Sequence, residues 1–512
     1  MALNDITINK GQGGLGRPLE GTDYVSGLLF YSASLPSGFD SSNRIKSIFS
    51  VAQAEDLGIT NLSVGETAAV AKAVIGGTPT AGDVIVLKYT GIDGLETYLT
   101  YTLTSADAVS ATTAATGLAA AINAETFNTG FSASSSTTSL LVTTKKGEGI
   151  FPNNGTPFSS VVTGSATLTW TQPTGSGSTV LGVASDINIL HYHVSEFFRI
   201  QPKGKLFVGV YATADVGTFA SITLMQNFAQ GEIKQLGIYQ KSASFATSQC
   251  NAIQTICTAL EAVHKPLITI LGAEISSTSD ITTLNTSLHS LSDPNVSVTI
   301  AQDGAAIGYH LFKATGKSIT NLGEVLGAVA LSKVSESIAW LGKFQVSSSE
   351  LDTLAFANGE FYLSLSDAAI TNLDTLGFMF LRKVIDLSGS YHNRPYTCVS
   401  LTNDYAFIHS NRTIYKAIKN MRATILPSLG SQLKVNSDGT ISPDSINNFK
   451  SLGSQGLDNL MRNTELSDYA VIIDPLQDVL STGTLTITAE LLPIGVADFI
   501  TINVGFTTSL TQ

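Results

Sequence analysis

The chain has 512 residues, of which 43% are hydrophobic and 13% charged, and its formal net charge is −12. Typical globular chains are roughly 25% charged, and the negative balance disfavours nucleic-acid binding through a broad basic face. The sequence has no run of eighteen apolar residues and no secretion signal at its start, so we expect neither membrane insertion nor export. Three cysteines, an odd number, fit a reducing compartment rather than a disulfide framework.

Residues 1–60 predict an N-terminal arm followed by the first part of a core. Leu3, Ile6 and Ile8 mark a short strand pattern, in which Ile6 and Ile8 alternate with polar residues. The next stretch, GQGGLG, has the spelling of a dinucleotide fingerprint, but Pro18 argues against the helix that must follow it. We therefore interpret it as an arm hinge. The hinge residues are Gly11, Gly13, Gly14 and Gly16. Further on, NRIKSIFSVAQAEDLG predicts a helix that ends near Gly58.

Residues 61–183 are dominated by Thr, Ser, Ala and Gly. Strand-like runs are GDVIVLKYT, TYLTYTLTS, SLLVTTKK and ATLTWTQP, and one helix-like run begins near Asp107, a candidate N-cap. The segment closes with PTGSGSTVLG, which is typical of a flexible joint. This composition predicts a mostly β decoration domain inserted at a surface loop of another domain.

Residues 184–385 predict an α/β middle domain. Buried-strand patterns occur in KLFVGVYA, KQLGIYQ, KPLITILGAEI and NVSVTIAQD. Helical patterns lie between or after them, including ATSQCNAIQTICTALEAVHK, TLNTSLHSL and a long run after Asp303. Strands alternating with helices indicate a mainly parallel sheet that is covered on both faces.

Residues 386–512 predict an α+β domain with a terminal strand arm. A first helix begins at Ser410 or Asn411 and stops near Pro427, a second follows Pro443, and YAVIIDP is a strand. Two more strand patterns close the chain. Leu485 and Ile487 mark the first. The second contains Phe499, Ile500, Ile502, Val504 and Phe506. An apolar strand with an unpaired edge promotes aggregation, so we expect this one to have a partner.

Candidate catalytic and metal-binding residues are few. His191 and His193 would share one face of a strand, but two histidines do not make a zinc site, which needs three or four ligands. Asp303 ends a predicted parallel strand near His310, yet no nucleophile elbow accompanies them. We therefore expect no enzymatic activity, cofactor or metal.

The first C-terminal helix carries a basic stripe. Its members are Arg412, Lys416, Lys419 and Arg422. Spacings of three and four residues place most of them on one helix face. Such a stripe is either a solvated basic face or a docking surface for an acidic partner.

These C-terminal runs resemble the distal part of contractile tail sheath proteins from phages and phage-derived injection systems of Bacteroidetes type. The matching pattern includes Asn411–Arg412, Asp474–Pro475, Thr482–Gly483 and Pro493, and it ends with Ala497 and the strand from Ile500 to Phe506. The early run DITINKGQGGLGRPLEGTDYVSGLLFYS and the middle run HVSEFFRIQPKGKLFVGVY are also similar to sheaths. The resemblance covers residues 1–60 and 190–512, and the insert departs from the basic sheath.

The resemblance implies a subunit that polymerises in stacked, hexameric rings around a tail tube and contracts to drive the tube through a target envelope. It implies strand donation between subunits through both terminal arms, and a basic helix that faces the tube. The implied partners are other subunits, the tube protein, and baseplate and terminal cap proteins. Assembly would occur in the bacterial cytoplasm, within a virion tail or a tail-like particle.

Two other classes remain open at this point. The chain could be another self-assembling tail or surface protein, such as a tube, adhesin or S-layer-like subunit, although its α/β middle and helix-rich end count against that class. An enzyme with a doubly wound sheet is a third class, for which the middle domain fits but no site does.

Overall fold

A computed structural model of the chain describes residues 21–502 and 504–506. This part of the chain has a mixed α/β fold, which confirms the predicted fold class at that level. The predicted N-terminal strand at Leu3, Ile6 and Ile8 and the glycine hinge at 11–16 lie outside the described residues.

The first described elements belong to the central sheet. They are β1 (Val25–Tyr31), β2 (Ile45–Ile48) and α1 (Val51–Asp56). The sequence pattern before Gly58 predicts a single helix, and the first half of this prediction is wrong because β2 lies there. Ile45 and Ile48 are buried, and β2 pairs antiparallel with residues 206–209, so sheet pairing overrides the helical pattern there. Ser50 caps α1, and Gly58 follows it with a positive φ of 80°.

Residues 70–171 form two antiparallel sheets around a core of their own. The elements are β3 (Val70–Gly77), β4 (Val84–Thr90), β5 (Glu96–Thr102), α2 (Ala111–Ala124), α3 (Thr126–Thr129), β6 (Ser132–Ser136), β7 (Ser139–Thr143), β8 (Phe158–Thr163) and β9 (Ala166–Thr171). All four predicted strand runs fall on strands. The N-cap of α2 is Ser110, not Asp107. The Asp107 carboxylate is buried and instead accepts hydrogen bonds from Thr104 and Tyr101.

The middle of the chain alternates strands and helices, as predicted. In chain order the elements are α4 (Asp186–Ile200), β10 (Lys205–Tyr211), α5 (Ser221–Phe228), β11 (Gln235–Tyr239), α6 (Thr247–Ala262), β12 (Ile268–Gly272), β13 (Ser292–Asp293), β14 (Val296–Thr299), β15 (Ala301–Asp303), α7 (Ile307–Thr315), α8 (Leu322–Leu331), β16 (Leu354–Phe356), α9 (Asp367–Thr375), β17 (Leu381–Val384), β18 (Leu387–His392) and β19 (Cys398–Val399). The central sheet has the order β14-β12-β11-β1-β10-β2, and its neighbours pair in parallel except at the β2 edge.

Helices cover both faces of this sheet, which explains why β1 is a continuous apolar run. Leu28 and Phe30 pack on the side of α4 and α8, whereas Leu29 and Tyr31 pack on the side of α5 and α6. A Cβ atom at Gly323 of α8 would lie 2.1 Å from the carbonyl oxygen of His193 in α4. Only glycine allows these two helices to approach so closely.

Two local predictions in this region are wrong. His191 and His193 lie in helix α4 rather than on a strand. The run TLNTSLHSL (283–291) forms no α-helix: a 3-10 turn, Ile281–Thr283, overlaps only its first residue, and a second, Leu288–Ser290, lies near its end. Asp280 and Ser290 bond to nearby backbone groups there, a competition with helix formation that is typical of Ser, Thr and Asp.

The C-terminal region packs two helices against a hairpin. Its elements are α10 (Ile408–Ile425), α11 (Pro443–Arg462), β20 (Leu466–Ile472), α12 (Val479–Thr482) and β21 (Thr488–Pro493). Helix α10 begins before the predicted Ser410, and β21 lies later than the pattern at Leu485 and Ile487. A Cβ atom at Gly456 would lie 2.9 Å from the backbone of Met421, so glycine again permits a close helix crossing. The predicted domain boundary at 385/386 falls in the turn between β17 and β18.

Candidate assembly surfaces

The end of the described chain exposes a row of large apolar side chains. Residues 494–502 and 504–506 form no helix or strand within the single chain. Phe499 is 83% exposed, Ile500 and Ile502 are each 79% exposed, Val504 is 90% exposed and Phe506 is fully exposed. Burial of each such side chain stabilises a complex by roughly 1.5–3 kcal/mol before ordering costs. This segment is therefore a strong candidate for contact with another chain.

One arginine fixes the base of this segment to the body of the protein. The Arg394 Nη2 atom lies 2.6 Å from the Asp498 Oδ2 atom, and its guanidinium carbon lies 4.7 Å from the centre of the Phe499 ring. The ion pair and the cation–π contact together orient the chain as it leaves the hairpin. Beyond Phe499 the apolar residues project from this fixed base.

The hairpin that precedes the segment has edges that another strand could use. Strands β20 and β21 pair antiparallel with each other from Leu466 to Ile472 and form a separate two-stranded sheet. No third strand joins this sheet within residues 21–502 and 504–506. Isolated two-stranded sheets are marginal, and the packing of β20 on α11 supports this one.

Helix α10 carries the basic residues that the sequence grouped, and all four line one cavity. Arg412 is only 5% exposed, so it contributes no exposed charge to the outer helix face. Its Nη1 atom donates to the Ser332 Oγ atom at 2.8 Å and to the Lys333 carbonyl oxygen at 3.3 Å, and its Nη2 atom donates to the Asp23 carbonyl oxygen at 3.3 Å. Arg412 therefore joins α10 to the end of α8 and the start of β1.

The other three residues are progressively more open to solvent. Lys416 is half-buried, and its Nζ atom lies 2.6 Å from Asp23 and 2.7 Å from Glu465. Lys419 is exposed and donates to the Thr22 Oγ1 atom at 2.7 Å. Arg422 is exposed on the same side of the helix. The basic stripe therefore begins with Arg412, which is buried and connects parts of the fold, and it ends with two cations that are exposed to solvent.

Sequence reasoning missed the residues on the opposite wall of this cavity. Lys234 and His264 come from the loops that precede β11 and β12, Glu261 lies in the last turn of α6, and Asp23 precedes β1. The amino ends of parallel strands lie at the same edge of a sheet. The sequence could therefore have predicted that the residues just before β1, β11 and β12 lie close together. Desolvation lowers the pKa of Lys234 to about 8, with a smaller contribution from the positive charge of Lys419.

Residues that the sequence suggested for a catalytic or metal site make contacts within the fold. His191 contacts Glu55 at 3.0 Å, whereas His193 is fully buried and its ring packs tilted against Tyr239, with ring centres 5.0 Å apart. The buried Asp303 carboxylate accepts hydrogen bonds from the backbone N–H groups of Ala306 and Leu351, which fixes the turn after β15. Among the described residues, no group of three or more His, Cys, Asp and Glu side chains is arranged to bind a metal ion. The three cysteines are buried and free.

His193 makes stability depend on pH. Burial lowers its pKa to about 3, so the folded state keeps the ring neutral while the unfolded state protonates below about pH 6.5. The contribution of the neutral His193 ring to the free energy of unfolding is fully present above pH 6.5, and it is lost as the pH falls towards 3. Relative to His193→Phe, we expect the natural protein to lose about 2 kcal/mol between pH 7 and pH 5. Urea unfolding at both pH values measures the difference, with His264→Phe, at an exposed position, as the control. Equal pH slopes for the natural protein and His193→Phe would contradict the assignment.

The parallel sheet covered on both faces, the appended hairpin and the exposed apolar end define a mixed α/β protein with surfaces suited to assembly. Residues 3–394 match the model of the DUF2586 N-terminal domain, and residues 404–511 match that of the DUF2586 C-terminal domain. The chain therefore belongs to the DUF2586 family. No curated protein matches the sequence. No helix in the described part is both long and apolar enough to span a membrane.

Three solved structures illustrate the similarity of fold. The helical sheath of the anti-feeding prophage in its contracted state is 14% identical, with a TM-score of 0.44 over 62% of this chain and 81% of that chain. The PVC sheath complex of an extracellular contractile injection system, also contracted, is 14% identical, with a TM-score of 0.42 over 62% and 80%. A sheath tail protein from Listeria innocua is 11% identical, with a TM-score of 0.39 over 93% and 96%.

Proposed function

We propose that this protein is a structural subunit of a contractile tail sheath, which polymerises helically around a tail tube and contracts to drive the tube through a target envelope. The observation that carries the proposal is the exposed apolar row from Phe499 to Phe506, which the described part of the chain leaves uncovered. The run that contains this row is also part of the sequence pattern that resembles sheath proteins.

Strand donation is the use of this row that best fits its chemistry. Ile500, Ile502 and Val504 alternate with Thr501 and Asn503, and a strand added to an edge gains main-chain hydrogen bonds while its alternate side chains enter pockets. The surface that donates differs from the surface that accepts, and such a heterologous contact builds rings or open helices. The N-terminal arm at Leu3, Ile6 and Ile8, with its hinge at 11–16, would supply a second connection.

The exposed end of α10 is the proposed contact with the tube. Lys419 and Arg422 are solvent-exposed there, whereas Arg412 is buried and Lys416 is neutralised by two carboxylates. Docking on an acidic tube surface would therefore depend on the last two residues of the stripe. Baseplate and terminal cap proteins would bind the ends of the polymer, assembly would take place in the bacterial cytoplasm, and the finished sheath would be part of a virion tail or tail-like particle.

Charge reversal tests this contact. We expect Lys419→Glu together with Arg422→Glu to reduce co-sedimentation with tubes at least tenfold at low salt, because two attractive charges become repulsive. The matched control is Lys146→Glu with Lys203→Glu, which changes net charge equally at exposed positions away from α10. Unchanged co-sedimentation of the α10 variant would reject the tube-facing assignment.

Residues 61–183 are proposed to decorate the outside of the sheath rather than to build its lattice. The two sheets at 70–171 have a separate core, and the segment is tied to the body through α7. The Ile150 N–H group donates to the Ala314 carbonyl oxygen at 2.8 Å, and Lys313 donates to the Ile92 carbonyl oxygen at 3.2 Å. These bonds would fix the orientation of the insert on each subunit.

Electron microscopy of the purified full chain tests the proposal as a whole. A sheath subunit should form wide, hollow, striated tubes, either alone or in the presence of its tube protein. Flat two-dimensional sheets or solid, narrow fibres would instead indicate a surface-layer or adhesin-like protein and would overturn the sheath assignment.

A further inference from the structure

The cavity beside α10 has features that neither the family nor the proposed sheath role explains. Its volume is about 380 Å³, within the approximate 300–1,000 Å³ range of small-molecule sites. One wall is α10, and the other consists of the end of α6 and the loops that precede β1, β11 and β12. The cavity therefore lies between the C-terminal region and the amino edge of the central sheet.

The charges around this cavity do not balance. Lys234, Arg412, Lys416, Lys419 and Arg422 line it, against the two carboxylates of Asp23 and Glu261. The Asp23 carboxylate is already engaged by Lys416 at 2.6 Å. The Glu261 carboxylate accepts a hydrogen bond from the Tyr415 hydroxyl group at 3.1 Å. On a chain with a net charge of −12, this local excess of cations is unusual.

Four of the five cations have no carboxylate partner among the residues that the structure describes. These are Lys234, Arg412, Lys419 and Arg422. The half-buried Lys234 Nζ atom makes one hydrogen bond, to the Gly231 carbonyl oxygen at 2.7 Å, and an ammonium group has three protons to donate. Like charges gathered in a partly buried space repel one another, and the lowered pKa of Lys234 reflects both its burial and the nearby Lys419 charge.

A deeply buried donor also lines this space. Arg412 is 5% exposed, and its Nε–H group has no hydrogen-bond partner within the described part of the chain. A buried donor left unpaired costs about 1–3 kcal/mol. An anion bound in the cavity would neutralise the cations that surround this buried donor.

We propose that this cavity is a binding site for a small multivalent oxyanion of the phosphate class. Phosphate-type oxygens accept several charge-assisted hydrogen bonds at once, which matches converging ammonium and guanidinium donors. The concave site, built from several loops, α10 and the end of α6, fits a compact anion better than an extended acidic peptide. The bound anion would bridge Lys234 on the sheet side to Arg422 on α10.

Calorimetric titration of the unpolymerised full chain with pyrophosphate tests this site at a constant ionic strength set by sodium chloride. We expect saturable binding with one anion per chain and a rise in melting temperature that chloride alone does not produce. Lys234→Gln should weaken the affinity at least tenfold, since it removes a cation from inside the cavity. Lys203→Gln, the matched loss of an exposed charge elsewhere, should change the affinity less than twofold.

Three results would overturn the proposal. The first is the absence of saturable binding, and the second is equal affinity in the natural protein and Lys234→Gln. The third is tighter binding of a hexaglutamate peptide than of pyrophosphate, which would identify a protein-docking surface instead. Because Lys234 lies outside α10, this assay is independent of tube docking and of polymer formation.

Discussion

Removal of residues 496–512 should leave a folded, soluble monomer that no longer forms tubes. The truncation keeps β20, β21 and both C-terminal helices, and it removes the exposed apolar row. Within the described chain, the anchoring contacts of this segment are those of Arg394 with Asp498 and Phe499, so the core should retain its stability. Sedimentation and electron microscopy of full-length and truncated protein measure the loss of polymer.

A pair of point variants makes this test specific. Ile500→Asp with Ile502→Asp places charges on one face of the proposed strand and should reduce polymer at least tenfold, because buried unpaired charges are strongly unfavourable. Thr501→Asp places a charge on the opposite face of the same segment and should reduce polymer much less. Normal tubes from the truncated chain, or equal effects of the two variants, would remove the strand-donation proposal.

The central sheet could be predicted because its signals are local. Strands β10, β11 and β12 are short apolar runs separated by helical patterns, and burial on both faces requires that composition. The strand runs of the insert were recognised for a related reason, since β4 and β5 are rich in β-branched and aromatic residues, which favour strands. The mixed α/β class followed from these elements.

The errors arose where a distant contact decides the local structure. Strand β2 has a helical pattern in the sequence, but its pairing with residues 206–209 makes it a sheet edge. His191 and His193 have the alternation of a strand, yet they lie on α4, where close packing against Gly323 of α8 sets the helix. Periodicity over three residues cannot distinguish these cases.

The basic stripe at the candidate site also shows that a local sequence pattern does not predict contacts with distant parts of the chain. Spacing along α10 placed most of the four cations on one helix face, but it predicted neither the cavity that all four line nor their burial. Arg412 differs from Arg422 because the end of α8 and the start of β1 pack over the first and not over the second. The opposite wall, including Lys234, comes from loops far away in sequence, and only the fold brings it close.

Arg412→Met should lower the free energy of unfolding by about 1–3 kcal/mol, as expected when hydrogen-bond acceptors inside the fold lose their donor. The guanidinium group donates to the carbonyl oxygens of Ser332, Lys333 and Asp23, and methionine would leave these buried acceptors unpaired. Burial lowers the Arg412 pKa to about 10, so the side chain remains charged at pH 7 and keeps all of these bonds. The loss should appear in urea unfolding followed by circular dichroism.

Arg422→Met is the matched control because it makes the same chemical change at an exposed position of the same helix. Surface substitutions of this kind change stability by about 0.5 kcal/mol or less. Arg412→Lys should also be destabilising, since an ammonium group lacks the planar fork that contacts two separate segments at once. If the Arg412 and Arg422 variants were equally stable, Arg412 would not join α10 to α8 and β1. If instead Arg412 alone proves essential for stability, the stripe has two roles, with its buried end fixing the C-terminal region to the sheet and its exposed end free to bind a partner.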